Sequence, residues 1–206
     1  MITVLNFGLG NVAAFVELFN RLGIRCAVAH RPSEIQPGTN LVLPGVGAFD
    51  RAMERLESSG LADAIKEAAQ RGDVPILGVC IGMQVLFDRS EEGRRAGLGL
   101  LPGQVEHLNV RAGEHRLTVP HLGWNRIICS ADSPLTTDLS GTEFYFLHSY
   151  CANPSRPADV LASTDYGGQF PCIVGAGVVF GVQFHPEKSH SGGAALLRNF
   201  ASIGRR

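Results

Sequence analysis

The chain has 206 residues, which at roughly 150 residues per domain means one domain or at most two small ones, long enough to bury about 70% of its unfolded surface. Hydrophobic residues make up 45% and charged residues 18%, which excludes wholesale disorder. A net charge of −1 with no basic stripe argues against nucleic-acid binding, and no apolar run reaches the ~18 residues of a membrane span.

Ile2 to Phe7 is a short apolar run that lacks the basic start and cleavage site of a signal peptide, so it reads as a strand closed by Gly8-Leu9-Gly10. Val12, Phe15, Phe19 and Leu22 step by helical spacing and Gly23 ends the pattern. Ile24 to Ala29 predicts a second strand, Leu41-Val42-Leu43 a third, and Pro75 to Val79 a fourth. Helices are expected near 48–58, 61–71 and from Ile81 to Phe87. Beyond about residue 100 the texture changes. Short strands are expected near 104–110, 115–119, 124–129, 143–149, 159–163, 171–174 and 178–184, and a helical pattern returns only from Gly193 to Ala201. Buried strands alternating with helices predict an α/β fold with a mostly parallel central sheet flanked by helices. The C-terminal half adds antiparallel strands, and residues 1–206 read as a single domain without repeats or linkers.

The five cysteines, Cys26, Cys80, Cys129, Cys151 and Cys172, are odd in number and show no Cys-x-x-Cys spacing. No disulfide framework or metal site is expected, and a reducing cytoplasm suits the chain. Cys80 differs from the rest. It stands in Gly78-Val79-Cys80-Ile81-Gly82-Met83-Gln84, between a predicted buried strand and a helix, with glycines two residues to either side. Small neighbours permit the sharp turn of a nucleophile elbow, and free N–H groups at the helix start favour thiolate. The Ile81 N–H would face the oxyanion of an attacked carbonyl. A core cysteine in a tight turn has the same local pattern.

Gln183-Phe184-His185-Pro186-Glu187-Lys188 follows an apolar run. Pro186 disfavours helix at His185, so Glu187 can lie beside the ring and orient it, supplying a base and its orienter. Pro44-Gly45-Val46-Gly47-Ala48-Phe49 ends a predicted parallel strand, where α/β folds place ligands, and its glycines allow amides to approach or turn toward a substrate. Gly8-Leu9-Gly10-Asn11-Val12-Ala13 matches the dinucleotide pattern G-x-G-x-x-A. His30-Arg31 replaces the usual acidic residue, which keeps an NADP-binding domain open as a second class of function.

The Cys80 and His185-Pro186-Glu187 pieces together resemble the class I (triad-type) glutamine amidotransferases. Within them the finer pattern is similar to the glutaminase subunits of imidazole glycerol phosphate synthase. His121-Leu122-Gly123-Trp124-Asn125, Phe144 to Tyr150, Tyr166-Gly167 and Gly181 to Ser189 carry that likeness nearly end to end. The resemblance implies that Cys80 attacks the glutamine carboxamide, His185 moves the proton and Glu187 orients His185. It implies an oxyanion hole from Ile81 and the Val46 and Gly47 backbone, and a glutamine head group held by Gln84, Glu92, His148, Ser149 and Tyr150. Asn11, Trp124 and Lys188 would face a (β/α)₈-barrel cyclase in a heterodimer, which moves the glycine loop from NADP to an interface. No cofactor is implied. A paralogue serving another synthase fits the same motifs. Pro171 to Gly177 and Cys151 depart from the usual pattern outside the implied triad, and Cys26, Cys129, Cys151 and Cys172 read as structural.

Overall fold

A computed structural model describes residues 1–111 and 118–204. Strand β1 (Ile2–Leu5) leads through helix α1 (Val12–Arg21) to β2 (Cys26–Ala29). Strand β3 (Asn40–Gly45) is followed by α2 (Phe49–Ser58) and α3 (Leu61–Arg71). Strand β4 (Ile76–Cys80) runs straight into the short helix α4 (Ile81–Gln84). Next come β5 (Arg89–Ser90), β6 (Gly103–His107), β7 (His121–Arg126), β8 (Ile128–Cys129), β9 (Glu143–His148) and β10 (Tyr150–Pro154). The chain then forms β11 (Val160–Asp165), β12 (Gln169–Ala176), β13 (Val179–Val182) and α5 (His190–Ser202). Of the strand expected near 115–119, residues 115–117 lie outside the described residues, and 118–119 are not strand.

The main sheet has 8 strands in the order β2-β1-β3-β4-β13-β12-β11-β8. From β2 to β13 all neighbours are parallel, and β12, β11 and β8 continue antiparallel. Strands β1, β3, β4 and β13 are buried at every position, which is why their sequences are continuously apolar rather than alternating. Helix α1 buries Phe15, Leu18 and Phe19, α2 buries Phe49, Ala52, Met53 and Leu56, and α3 buries Leu61, Ala62, Ile65 and Ala68. Those stripes recur every three or four residues, as a helix covering a sheet requires. Strands β7 and β9 form a separate antiparallel pair, and β10-β6-β5 a further small sheet. No helix among the described residues is long and apolar enough to cross a membrane.

Two boundaries depart from the sequence reading. The helix expected from Ile81 to Phe87 ends at Gln84. Past Gln84 the N–H groups of Leu86 and Phe87 reach back only three residues, to the Met83 and Gln84 carbonyls, and the carbonyls of Val85, Leu86 and Phe87 accept from a distant loop: from Leu98, from Leu100 and Leu101, and from Gly99. Strand β12 runs two residues further at each end than expected, with Pro171 opposite Ser163 beside a register shift.

Asn40 joins the first half of the chain to the last helix. Its side-chain amide donates to the carbonyls of Phe200 (2.9 Å) and Ile203 (3.0 Å), closing the C-terminal end of α5. Asn40→Ala is expected to lower unfolding free energy by about 1–3 kcal/mol, because buried carbonyls lose their donor. Urea denaturation checks this, and an unchanged midpoint would show that α5 is held by packing alone.

Candidate active site

The turn from β4 into α4 places Cys80 at φ 54°, ψ −112°, a backbone region that L residues seldom occupy. The flanking glycines explain how. A Cβ at Gly78 would run into the main chain of Gly82, and one at Gly82 into the Leu43 carbonyl. A Cβ at Gly45, the register partner of Cys80, would stand 2.8 Å from Gly82 N. Three segments thus touch main chain to main chain, and the thiol at the end of β4 is only 5% exposed. The helix after it is a single turn, so free N–H groups at the turn, rather than a long helix dipole, would act on the sulfur.

His185 leaves the adjacent strand β13 in extended geometry and enters a tight turn at Pro186. Its N–H donates to the Tyr145 carbonyl (2.9 Å), and its carbonyl accepts from the buried Ser189 hydroxyl (2.6 Å). Ring Nδ1 lies 2.9 Å from Glu187 Oε1, with the two side chains 4% and 2% exposed. Burial by itself would lower the imidazole pKa. Hydrogen bonds to the Cys80 sulfur and to Glu187, and their charges, reverse that and push it up to about 9. This arrangement can hold an imidazolium between a carboxylate and a thiolate, the resting pair of a cysteine nucleophile. Cys151 and Cys172 are buried, burial pushes the half-buried Cys26 up to about 11, and it raises Cys172 as well.

The segment from Leu147 to Tyr150 passes beside the sulfur. The Leu147 carbonyl is 3.9 Å from Cys80 Sγ. Gln84 is 1% exposed and donates through Nε2 to the Tyr150 carbonyl and to Gln183 Oε1, both at 3.1 Å. His148 has both ring nitrogens engaged within the protein: Nδ1 at 2.8 Å from the same Tyr150 carbonyl, Nε2 at 3.1 Å from His121 Nδ1. His121 stacks on Tyr166 and Phe146. Ser149 and the Tyr150 ring are half-buried beside this row. Glu92 arrives from the loop after β5. Its Oε2 accepts from Phe49 N (2.9 Å) and so closes the start of α2, while Asp50 accepts from Arg94 and Arg95 N–H groups. Burial raises the Glu92 carboxyl pKa.

Sequence reasoning missed Gln183, Ser189 and His121 as parts of this site. Only the i, i+2 spacing of Gln183 and His185 could have pointed to the first. Val46 and Gly47 lie on an exposed loop, where Gly47 adopts φ 98° with open space around it. Gly45 serves a different need from the one read in the sequence: it is small for close packing, not for freedom. The glycine loop before α1 is also not arranged as a pyrophosphate cradle. Gly10 abuts Pro44, and the Asn11 side chain accepts from Ala14 N (3.3 Å), closing the start of α1. Trp124 and Lys188 are exposed near one another: Trp124 stacks on His190 at 5.1 Å, and Lys188 lies over the Tyr145 ring.

Residues 3–203 match the family "Glutamine amidotransferase class-I". The chain is a class I glutamine amidotransferase. It is 43% identical to "Imidazole glycerol phosphate synthase subunit HisH" of Leptospira interrogans and 44% identical to the protein of that name from Bdellovibrio bacteriovorus, in both cases over 98% of this chain and 100% of the relative. The Salinibacter ruber protein of that name is 45% identical over 98% and 94%. A solved glutamine amidotransferase superposes with TM-score 0.76 at 21% identity over 98% of both chains, and PurLQS from Thermotoga maritima with 0.73 at 17% over 97% and 96%. These two establish the fold alone.

In this amidotransferase the buried histidine pair sets an acid limit on stability. Desolvation pushes His121 from 6.5 down to about 4 and His148 down to about 3. The unfolded chain therefore binds more protons below about pH 6.5, and unfolding free energy falls as pH drops toward 4, by up to about 1.4 kcal/mol per pH unit for each histidine. His121→Phe keeps the stacking but removes one titrating ring. Its urea-unfolding free energy is expected to fall less steeply over this window. A slope equal to the parent's would place the acid sensitivity elsewhere.

Proposed function

We propose that this chain is the glutaminase subunit of imidazole glycerol phosphate synthase, hydrolysing glutamine and passing ammonia to a (β/α)₈-barrel cyclase partner. The observation that carries the chemistry is the buried Cys80 elbow beside a His185 whose far nitrogen is held by Glu187. The names borne by its end-to-end relatives carry the choice of acceptor. Cys80 thiolate attacks the carboxamide carbon. The oxyanion rests on the Ile81 N–H and the Val46–Gly47 backbone, and His185 protonates the departing ammonia. Water then hydrolyses the γ-glutamyl thioester with His185 as base, releasing glutamate and restoring the thiolate–imidazolium pair. Glu92, Ser149 and Tyr150 bind the glutamine head group, with Gln84 and His148 shaping the wall behind it. The partner joins the ammonia to a phosphoribulosyl formimino carboxamide ribonucleotide, giving imidazole glycerol phosphate and an aminoimidazole carboxamide ribotide.

The cyclase docks on Asn11, Trp124 and Lys188. In support, Leu122 (60% exposed), Trp124 (47%) and Leu147 (39%) lie on one face of the β7–β9 pair, and Leu147 also turns its carbonyl toward the sulfur. The whole chain acts as one glutaminase domain in the cytoplasm. A second reading, a paralogue feeding another synthase, fits the same motifs. Restoration of synthesis from glutamine when the chain is added to a purified cyclase separates the two.

Cys80→Ala is expected to abolish glutamine hydrolysis while the assembled complex still works with ammonium salts. His185→Asn removes most of the hydrolysis and Glu187→Gln less, since the imidazole survives but is poorly held. A Cys80→Ala protein that still hydrolyses glutamine would overturn the assignment.

The isolated chain is expected to hydrolyse glutamine slowly and to be switched on by the partner with its nucleotide. Rotation of the Val46–Gly47 peptide at the permissive Gly47 would complete the oxyanion hole, worth about 3–4 kcal/mol, or two to three orders of magnitude in rate. Steady-state assays of the chain alone, with partner, and with partner plus nucleotide check this. Equal rates in all three would refute gating.

A further inference from the structure

Behind the sulfur lies a row of buried amides that the hydrolytic steps leave unused. Gln183 is wholly buried and follows β13 directly. Strand β13 pairs with β4 in the register Val182 to Val79, so the next residues, Gln183 and Cys80, emerge side by side. Gln183 Nε2 lies 3.9 Å from Cys80 Sγ.

The direction of that amide follows from a main-chain group. The Tyr150 carbonyl oxygen can only accept, so the Gln84 atom 3.1 Å from it is the NH₂ group. The same NH₂ reaches the Gln183 side chain at 3.1 Å, so the Gln183 atom it meets is the oxygen. What remains to face the sulfur is the Gln183 NH₂. His148 Nδ1 meets the Tyr150 carbonyl as well, which holds the carbonyl from a second side and assigns His148 the Nδ1–H tautomer.

We propose that Gln183 is a positioning residue for the nucleophile: its amide N–H, turned toward Cys80 Sγ by the Gln84 side chain and the Tyr150 carbonyl, holds the sulfur in line and favours its thiolate. A donor facing a sulfur stabilises the anion over the thiol, because the thiolate is the better acceptor. Gln183 and His185 are two residues apart on one extended segment, so a single strand exit brings both groups to the sulfur. The groups that face Cys80 are His185 with Glu187 behind it, Gln183 beside it, and the Leu147 carbonyl from β9, with His148 near His185 on that same strand. Of these, Gln183 supplies a side-chain donor that keeps no charge of its own. The Gln84 carbonyl oxygen is buried without a partner, which fits a side chain selected for where its NH₂ points.

The inference rests on Cys80 being the nucleophile, and the test separates the two. Full-length protein is alkylated with iodoacetamide over a pH series, Cys80 is followed by peptide mass spectrometry, and glutaminase kinetics are measured with the cyclase present. Gln183→Met keeps the shape and removes the donor. Gln84→Met leaves Gln183 in place but frees its amide to turn. Gln183→Met is expected to move the midpoint of Cys80 alkylation up by about one pH unit and to lower kcat about tenfold, with KM for glutamine within about twofold. Gln84→Met moves the midpoint the same way by less. An unchanged midpoint in either folded variant overturns the proposal, and so does a loss confined to KM, which would make the pair a substrate contact. If Cys80 is not the residue whose alkylation abolishes hydrolysis, the nucleophile assignment fails instead.

Discussion

The site depends on one steric constraint, the contact of three main-chain segments at Gly45, Gly78 and Gly82. None of these positions has room for a Cβ without meeting another backbone. That contact lets β3, β4 and the start of α4 come close enough to hold Cys80 in a left-handed conformation, at a cost of order 1–3 kcal/mol. The surrounding strands are buried at every position, so the strain is offset by packing that cannot relax locally. The sulfur therefore sits, buried, at the turn at the carboxyl end of the sheet, where it meets His185.

Once the sulfur is placed, electrostatics separates histidines that share one neighbourhood. Burial depresses His121 and His148, whose partners are each other and a carbonyl. His185 is buried too, but a carboxylate and the thiol outweigh desolvation and raise it. A pair of titratable groups driven apart by environment is how acid–base roles are divided at near-neutral pH. The contrast comes from partners rather than from depth.

The β7–β9 pair serves the sulfur on one face and the surroundings on the other. His121, Phe144, Phe146 and His148 point inward, and Phe144 stacks on Phe184 beside the strand exit that carries His185. Leu122, Trp124 and Leu147 point outward. The register pairs His121 with His148 and Leu122 with Leu147, so a change in how the pair sits would be felt on both faces at once.

The sequence by itself determined the parallel half of the fold and singled out Cys80, His185 and Glu187. Continuous apolar strands can be read because both faces are covered, and α3 runs over Leu61–Arg71 as its periodicity and flanking glycines dictate. Cys80 stood out because glycines two residues away permit the sharp turn of an elbow, a pattern a core cysteine in a tight turn shares, and His185 with Glu187 because extended chain sets residues two apart side by side. Tertiary structure decided what depends on distant partners. Past Gln84 the chain tightens to three-residue turns, and the carbonyls from Val85 to Phe87 accept from residues 98–101, which no local window contains. Gly45 looked like a hinge and is a spacer, since only the folded chain brings Gly82 against it. The polarity of Gln84 and Gln183 was illegible for the same reason. An amide carries both a donor and an acceptor, and which one meets the sulfur is settled by a carbonyl 66 residues away from Gln84 in the chain.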